Sequence, residues 1–217
     1  MARATGIAVV GIEWSEQQIR EACSQAEAQG EANLLEMRQG DAATPPLRES
    51  EWGHFDVAHA RFLLEHVPDP LTVVRTMLRA VRPGGRLLLA DDDYDLLRLW
   101  PEPPGFTPLW LAYQRTYDRH GNDPIVGRRL VQLLHQAGAQ PKRNDFVFFG
   151  SCSGQPEFKH FVGNLVTIIT EGRDEIAETG MPPEFVHSSL EALSAWSMRP
   201  DAALWHAISW AEGTKLN

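Results

Sequence analysis

Two cysteines in 217 residues, Cys23 and Cys152, stand far apart and outside any C-x-x-C or other metal-ligand spacing. A disulfide framework and a zinc site are therefore poor expectations, and no metal is expected. Dense runs of Lys or Arg are missing as well. The 29 acidic residues outnumber the 20 basic ones for a formal net charge of -9, so sequence-independent binding to nucleic acid or to an anionic membrane is not expected. Apolar runs stay too short for a membrane span, and the stretch before Glu13 is too short for a signal sequence, which makes the cytoplasm the expected compartment. Internal repeats and low-complexity segments are absent. What remains, with 43% hydrophobic residues, is enough for a sizeable core in a single domain spanning 1–217 with an inserted lobe.

The apolar run Ile7 to Ile12 ends at Glu13, and Ser15-Glu16-Gln17-Gln18 then reads as a capping box opening a helix that stops near Gly30. Leu34 to Arg38 is a short strand ending at Gly40-Asp41, and Phe55 to Ala60 is the next strand. Pro70 suits the first turn of a helix reaching Val81. Arg82-Pro83-Gly84-Gly85 stops it before the strand Arg86 to Ala90, which empties into Asp91-Asp92-Asp93-Tyr94. Phe106 to Arg119, the segment after Asp123-Pro124 up to Gly138, Pro156 to Glu171 and Pro182 to Ser197 read as helices. Asp145 to Phe149 and the alternating Leu204, His206, Ile208 and Trp210 read as strands. Strands alternating with helices predict an α/β sheet covered on both faces, with ligands beyond the carboxyl ends of its strands. Glu13, Asp41, Arg61 and Asp91 fall at such ends.

Val9-Val10-Gly11-Ile12-Glu13, Gly40-Asp41-Ala42, Phe55-Asp56-Val57, the run Leu64-Glu65-His66-Val67-Pro68-Asp69-Pro70 and Arg82-Pro83-Gly84-Gly85 follow in this order. That order and spacing resembles the class I S-adenosylmethionine-dependent methyltransferases that act on small molecules. The resemblance implies a Rossmann-like methyltransferase fold and S-adenosyl-L-methionine as cofactor, with a small organic molecule as acceptor. It implies that Glu13 grips the ribose, with Trp14 beside the adenine, Asp41 accepting from the adenine amino group and Ala42 lending its amide. Ala60, Arg61 and Phe62 would line the methionine half. A carboxylate closing a strand suits two ribose hydroxyls because it accepts hydrogen bonds in a bidentate manner. For Glu13 the plainer reading is a solvated acid before a helix N-terminus, and for Gly40-Asp41 an ordinary turn pair.

His66 is the best titratable candidate for a catalytic role near neutral pH, although a histidine in such a run also serves to pack the following loop. Asp91, Asp93 and Tyr94 are candidate substrate-binding residues. The acidic cluster could equally hold a divalent cation or be a hydrated loop. Segments 100–120 and 155–198 are expected to form the lid or substrate lobe. A nicotinamide dehydrogenase would also use an acid at the end of a strand, but the His66 run and Arg-Pro-Gly-Gly speak for methyl transfer.

Methyltransferases of this kind carry a first strand and a glycine-rich turn ahead of the strand that ends in the ribose acid. Here twelve residues precede Glu13, without a Gly-x-Gly pattern, so the first strand and glycine-rich loop are expected to be missing from an N-terminally truncated domain. Two expectations follow. The Ile7 to Glu13 strand should slide over to pair with Phe55 to Ala60, or else take a partner from another molecule, as in a homodimer, because unpaired inner edges are costly. Activity of this chain should be weak, which leaves a non-catalytic binding or assembly protein as the alternative.

Overall fold

Local chemistry sets most of the element boundaries in the computed structural model, which describes residues 2–216. A short helix α1 (Ala2–Thr5) precedes β1 (Val9–Glu13); Met1, the first residue of the sequence, lies outside the described residues. The Ser15 hydroxyl accepts from the Gln18 amide and caps α2 (Glu16–Ala28). Strand β2 (Leu35–Gln39) then pairs in parallel with β1, Val9 opposite Leu35 and Glu13 opposite Gln39. Asp69 caps α3 (Pro70–Ala80) through the Thr72 amide, with Pro70 in the first turn. Strands β3 (Phe55–Arg61) and β4 (Val81–Asp92) flank that helix in sequence and pair in parallel.

The Arg-Pro-Gly-Gly segment is a bulge inside β4 rather than a turn before it. Pairing jumps from Phe55 opposite Val81 to Val57 opposite Arg86. Gly84 has a φ of 73°, and a Cβ on Gly85 would lie 2.8 Å from the Arg82 carbonyl oxygen, so both glycines are required there.

Beyond β4 the chain forms β5 (Arg98–Trp100), α4 (Phe106–Thr116), α5 (Leu130–Ala137), β6 (Ala139–Cys152), α6 (Pro156–Glu171), α7 (Arg173–Glu178), α8 (Pro183–Trp196) and β7 (Ala203–Lys215). Strand β7 organises this half. Antiparallel β6 pairs along its whole length, and β4 and β5 share its other edge end to end. Two cores result. One lies under α3 and α5, where Val73, Val74, Leu130, Leu133 and Leu134 meet Leu87 and Leu89 of β4. The other gathers α4, α6, α7 and α8 on Leu99 and Leu204, so the two segments around 100–120 and 155–198 pack as one helical lobe. Among the described residues no helix is long and apolar enough to cross a membrane.

The slide of β1 onto β3 does not occur. Strands β1 and β2 form a two-stranded sheet of their own, separate from the five-stranded sheet of β3 to β7, and no ladder joins β1 to β3 among the described residues. The β1–α2–β2 unit keeps its five-residue ladder, and the second edge of β1 has no strand partner among the described residues. Every residue of β1 is only half-buried.

Candidate active site

The opening between the two sheets is a cleft of ≈ 1010 Å³ at the carboxyl ends of β1, β2 and β3. Glu13 and Trp14 enter it from β1, Asp41 and Ala42 from the loop after β2, Ala60, Arg61 and Phe62 from β3, and His66 from the next loop. All eight residues singled out from the sequence at these strand ends line one space. Two hydrogen bonds hold the β1 and β2 ends of the cleft together: the Gly40 amide donates to the Glu13 carbonyl at 3.0 Å, and the Gln39 side-chain amide donates to the Trp14 carbonyl at 3.2 Å.

Within the cleft, Glu13 Oε1 accepts from the Ser15 amide at 2.8 Å, and Asp41 Oδ1 accepts from the Ala43 amide at 2.7 Å. Each carboxylate is aimed by its own turn and keeps a second oxygen for a ligand. The Trp14 ring is 73% exposed, available for stacking. The Arg61 guanidinium sits 5.0 Å from the Phe62 ring centroid and forms no ion pair among the described residues, which makes it a ready partner for a carboxylate. Phe62 has a φ of 52°, in the left-handed region that costs a bulky side chain about 1–3 kcal/mol. Its amide donates to the Ala90 carbonyl at 3.0 Å.

Phe62 and His66 also line a second cavity of ≈ 360 Å³ beneath the helical lobe. Its walls are aromatic and aliphatic: Tyr94, Trp110, Tyr113 and Tyr117 on one side, Phe149 and Phe161 on the other. Tyr94 and Tyr117 hydroxyls lie 2.9 Å apart, and the Trp110 indole donates to the Tyr94 carbonyl at 2.9 Å. Burial raises the pKa of all three tyrosines, so they stay neutral. Its polar members, besides His66, are Asn164, Asp92 and His206, the last with its Nε2 3.0 Å from Asp92 Oδ1. His66 Nε2 is 3.3 Å from Glu65 Oε1, and its ring stacks on Tyr117. Burial lowers the His66 pKa, partly opposed by the Asp92 charge.

Asp91 and Asp93, expected to touch a substrate, line neither cavity. Asp91 Oδ2 accepts from the Leu63 and Leu64 amides at 3.2 and 2.9 Å. Asp93 is gripped by Arg128 at 2.6 and 2.8 Å. Both acids are buried and hold loops in place. Tyr94 does line the second cavity, together with Asp92 from the middle of the acidic cluster and with residues the sequence reading passed over: Tyr113, Tyr117 and His206. His206 stood in a legible alternating run, but its pairing with Asp92 depends on the antiparallel docking of β7 on β4. Among the described residues no group of three or more His, Cys, Asp or Glu is placed to hold a metal ion.

Comparison with known proteins follows the same lines. The sequence pattern of a methyltransferase domain matches residues 1–142. An uncharacterised 37.1 kDa protein of transposon TN4556 from Streptomyces fradiae is 34% identical over 138 residues, covering 60% of this chain and 35% of that protein. The demethylmenaquinone methyltransferase of Desulfitobacterium hafniense (strain Y51) is 25% identical over 166 residues, covering 75% of this chain and 62% of that enzyme. The chain thus spans between a third and two thirds of the length of these relatives. A candidate methyltransferase from Bacillus halodurans C-125 shares the fold with a TM-score of 0.61 at 18% identity, covering 97% of this chain and 84% of that one. With the match extending over residues 1–142, the chain belongs to the methyltransferase domain family.

Proposed function

We propose that this chain transfers a methyl group from S-adenosyl-L-methionine to a small organic acceptor, with the donor in the cleft between the sheets and the acceptor in the aromatic cavity. The observation that carries this reading is that Phe62 and His66 belong to both spaces, so two ligands would meet at these residues. The residues present fit the donor. Glu13 offers a free carboxylate oxygen to ribose hydroxyls, Asp41 and the Ala42 amide suit an adenine edge, and Arg61 offers an unpaired cation to an amino-acid carboxylate. When bound, the donor supplies a methyl group on a sulfonium leaving group.

The protein's part is then alignment and exclusion of water. The helical lobe serves as the acceptor's cover, and the strained Phe62 sets the width of the junction. His66, held between Glu65 and Tyr117, is the titratable group at that junction; below its ordinary pKa range it stays neutral at neutral pH and is able to accept a proton. The same reading places the reaction in the cytoplasm, supported by two unpaired cysteines.

A second reading, a non-catalytic binding or assembly protein, draws support from edge strand β6. It exposes Phe146, Val147 and Phe148, the last 75% exposed, a surface suited to a homodimer. Calorimetry separates the two. The first reading expects adenosylmethionine and adenosylhomocysteine both to bind, and Glu13→Gln to weaken both by about 1.5–3 kcal/mol, the worth of a charge-assisted hydrogen bond. Absence of binding by the unaltered chain, together with a dimer in light scattering, would establish the second.

A further inference from the structure

The acceptor cavity has an electrostatic character that its apolar walls conceal. Among the described residues that line it there is no Lys or Arg. Asp92 lines it, and with Oδ1 engaged by His206 Nε2 its Oδ2 has no hydrogen-bond partner among the described residues. Glu65, outside the lining but within electrostatic reach of Asp92 and Tyr94, is 2% exposed, and its Oε2 is buried with no geometric hydrogen bond among the described residues. A buried, half-satisfied carboxyl group is expensive unless something completes it. Among the described residues no Lys or Arg is paired with either acid, and Arg128, which reaches the neighbouring Asp93 and Asp95, is spent on them.

We propose that this cavity is the binding site of an amine, a compact apolar or aromatic body whose cationic nitrogen is paired by Asp92 with Glu65 behind it. The inference rests on reading the cavity as the acceptor's site. Tyrosine and tryptophan rings favour a cation through their quadrupoles, and the rings here are locked by stacking: Tyr94 on Tyr113 at 6.2 Å and Trp110 on Tyr113 at 5.3 Å between centroids. An anionic acceptor would meet the Asp92 carboxylate with no Lys or Arg in the lining to offset it. A neutral alcohol would leave Glu65 as it stands. An ammonium group alone answers both acids.

The groups facing Glu65 are Asp91 and Asp92 of β4, its neighbour His66, and Tyr94, Tyr113 and Tyr117. Burial, then the Asp92 and Asp91 charges, push its carboxyl up to about 8, so it holds its proton at neutral pH until a cation arrives. For transfer, the ammonium gives one proton to the neutral His66 ring at the junction, which frees the nitrogen lone pair and leaves Asp92 ionised. The N–C bond then forms as the C–S bond breaks, the electron pair stays on sulfur, and the positive charge that develops on nitrogen lies beside the carboxylates.

The test uses three near-isosteric probes on the full chain: benzylamine, benzyl alcohol and benzoate, titrated by calorimetry near neutral pH. Benzylamine should bind at least about tenfold more tightly than benzyl alcohol, a difference of about 1.4 kcal/mol, and benzoate more weakly than either. Asp92→Asn should erase most of that preference while leaving benzyl alcohol within about twofold of its original affinity. Repeating the benzylamine titration in buffers of different ionisation enthalpy should show proton release as Glu65 ionises, a readout that needs no variant. Equal binding of amine and alcohol, a preference for benzoate, or benzylamine binding without proton release would overturn the proposal. Adenosylmethionine titrated separately keeps the two readings distinct: amine binding without donor binding defeats methyl transfer and not this site, whereas donor binding without amine preference does the reverse.

Discussion

The carboxylate of Asp91 accepts the backbone amide of Leu64 at 2.9 Å and so ties the end of β4 to the loop that carries Glu65 and His66. The Leu63 amide shares the same oxygen at 3.2 Å, and Asp91 itself is fully buried. Asp91→Ala strands two amides in an apolar surround at about 1–3 kcal/mol each. We expect a loss of about 3 kcal/mol in chemical denaturation, and a weaker effect for Asp91→Asn, whose side-chain carbonyl still accepts. If Asp91 touched the substrate instead, Asn would impair acceptor binding while stability stayed put.

Arg61 provides a test that splits the donor into its parts. Its guanidinium is unpaired among the described residues and rests on Phe62. Arg61→Gln should weaken adenosylmethionine and adenosylhomocysteine by about 1–3 kcal/mol, as loss of a charged hydrogen bond does, and leave 5′-methylthioadenosine, which lacks the amino-acid end, unchanged. Equal weakening of all three would place Arg61 elsewhere in the cleft.

Phe62 carries a positive φ at the junction of the two cavities. Phe62→Gly relieves backbone strain of about 1–3 kcal/mol, offset by the roughly 0.5–1 kcal/mol entropic cost of glycine and by lost contacts of a ring that is 37% exposed. Melting should therefore shift little, while turnover falls because the junction is left wide. A large loss of stability with turnover intact would show that the ring is a packing element only.

The strand ends were legible in the sequence because each apolar run closes on a polar or charged residue, and the two parallel pairs, β1 with β2 and β3 with β4, point those ends into the same cleft. This is why Glu13, Asp41 and Arg61 met in one cleft although 48 residues of numbering separate the first from the last. In the acid cluster the strand's parity decides which residues reach the cavity. Side chains alternate along a strand, so Asp91 shares the buried face of Leu87 and Leu89 while Asp92 points the other way. That parity could be counted from the leucines, but which face opens on a cavity depends on the docking of β7 and the helical lobe. Strand β5 is only three residues long, too short for periodicity to register. The slide of β1 does not take place, since β1 and β2 stand as a separate two-stranded sheet with the cleft between them and β3.

Glu65 ties stability to pH in a direction opposite to most carboxylates. Burial is the main cause that raises its pKa to about 8, helped by the Asp92 and Asp91 charges. A folded-state pKa above the unfolded one means that the native state binds more protons between the two values. The stability contributed by neutral Glu65 is thus complete below its unfolded pKa of about 4.5, and it is lost as pH rises through the folded value. Glu65→Gln keeps the shape and removes the titration, so it should match the unaltered chain at about pH 5 and exceed it by on the order of 3 kcal/mol at about pH 9. Asp91, also raised by burial to about 6, titrates in both proteins and largely cancels in the difference. Urea denaturation across this range is the measurement. A stability difference that does not grow with pH would show that Glu65 is already ionised in the native state, with a cation or water completing its second oxygen.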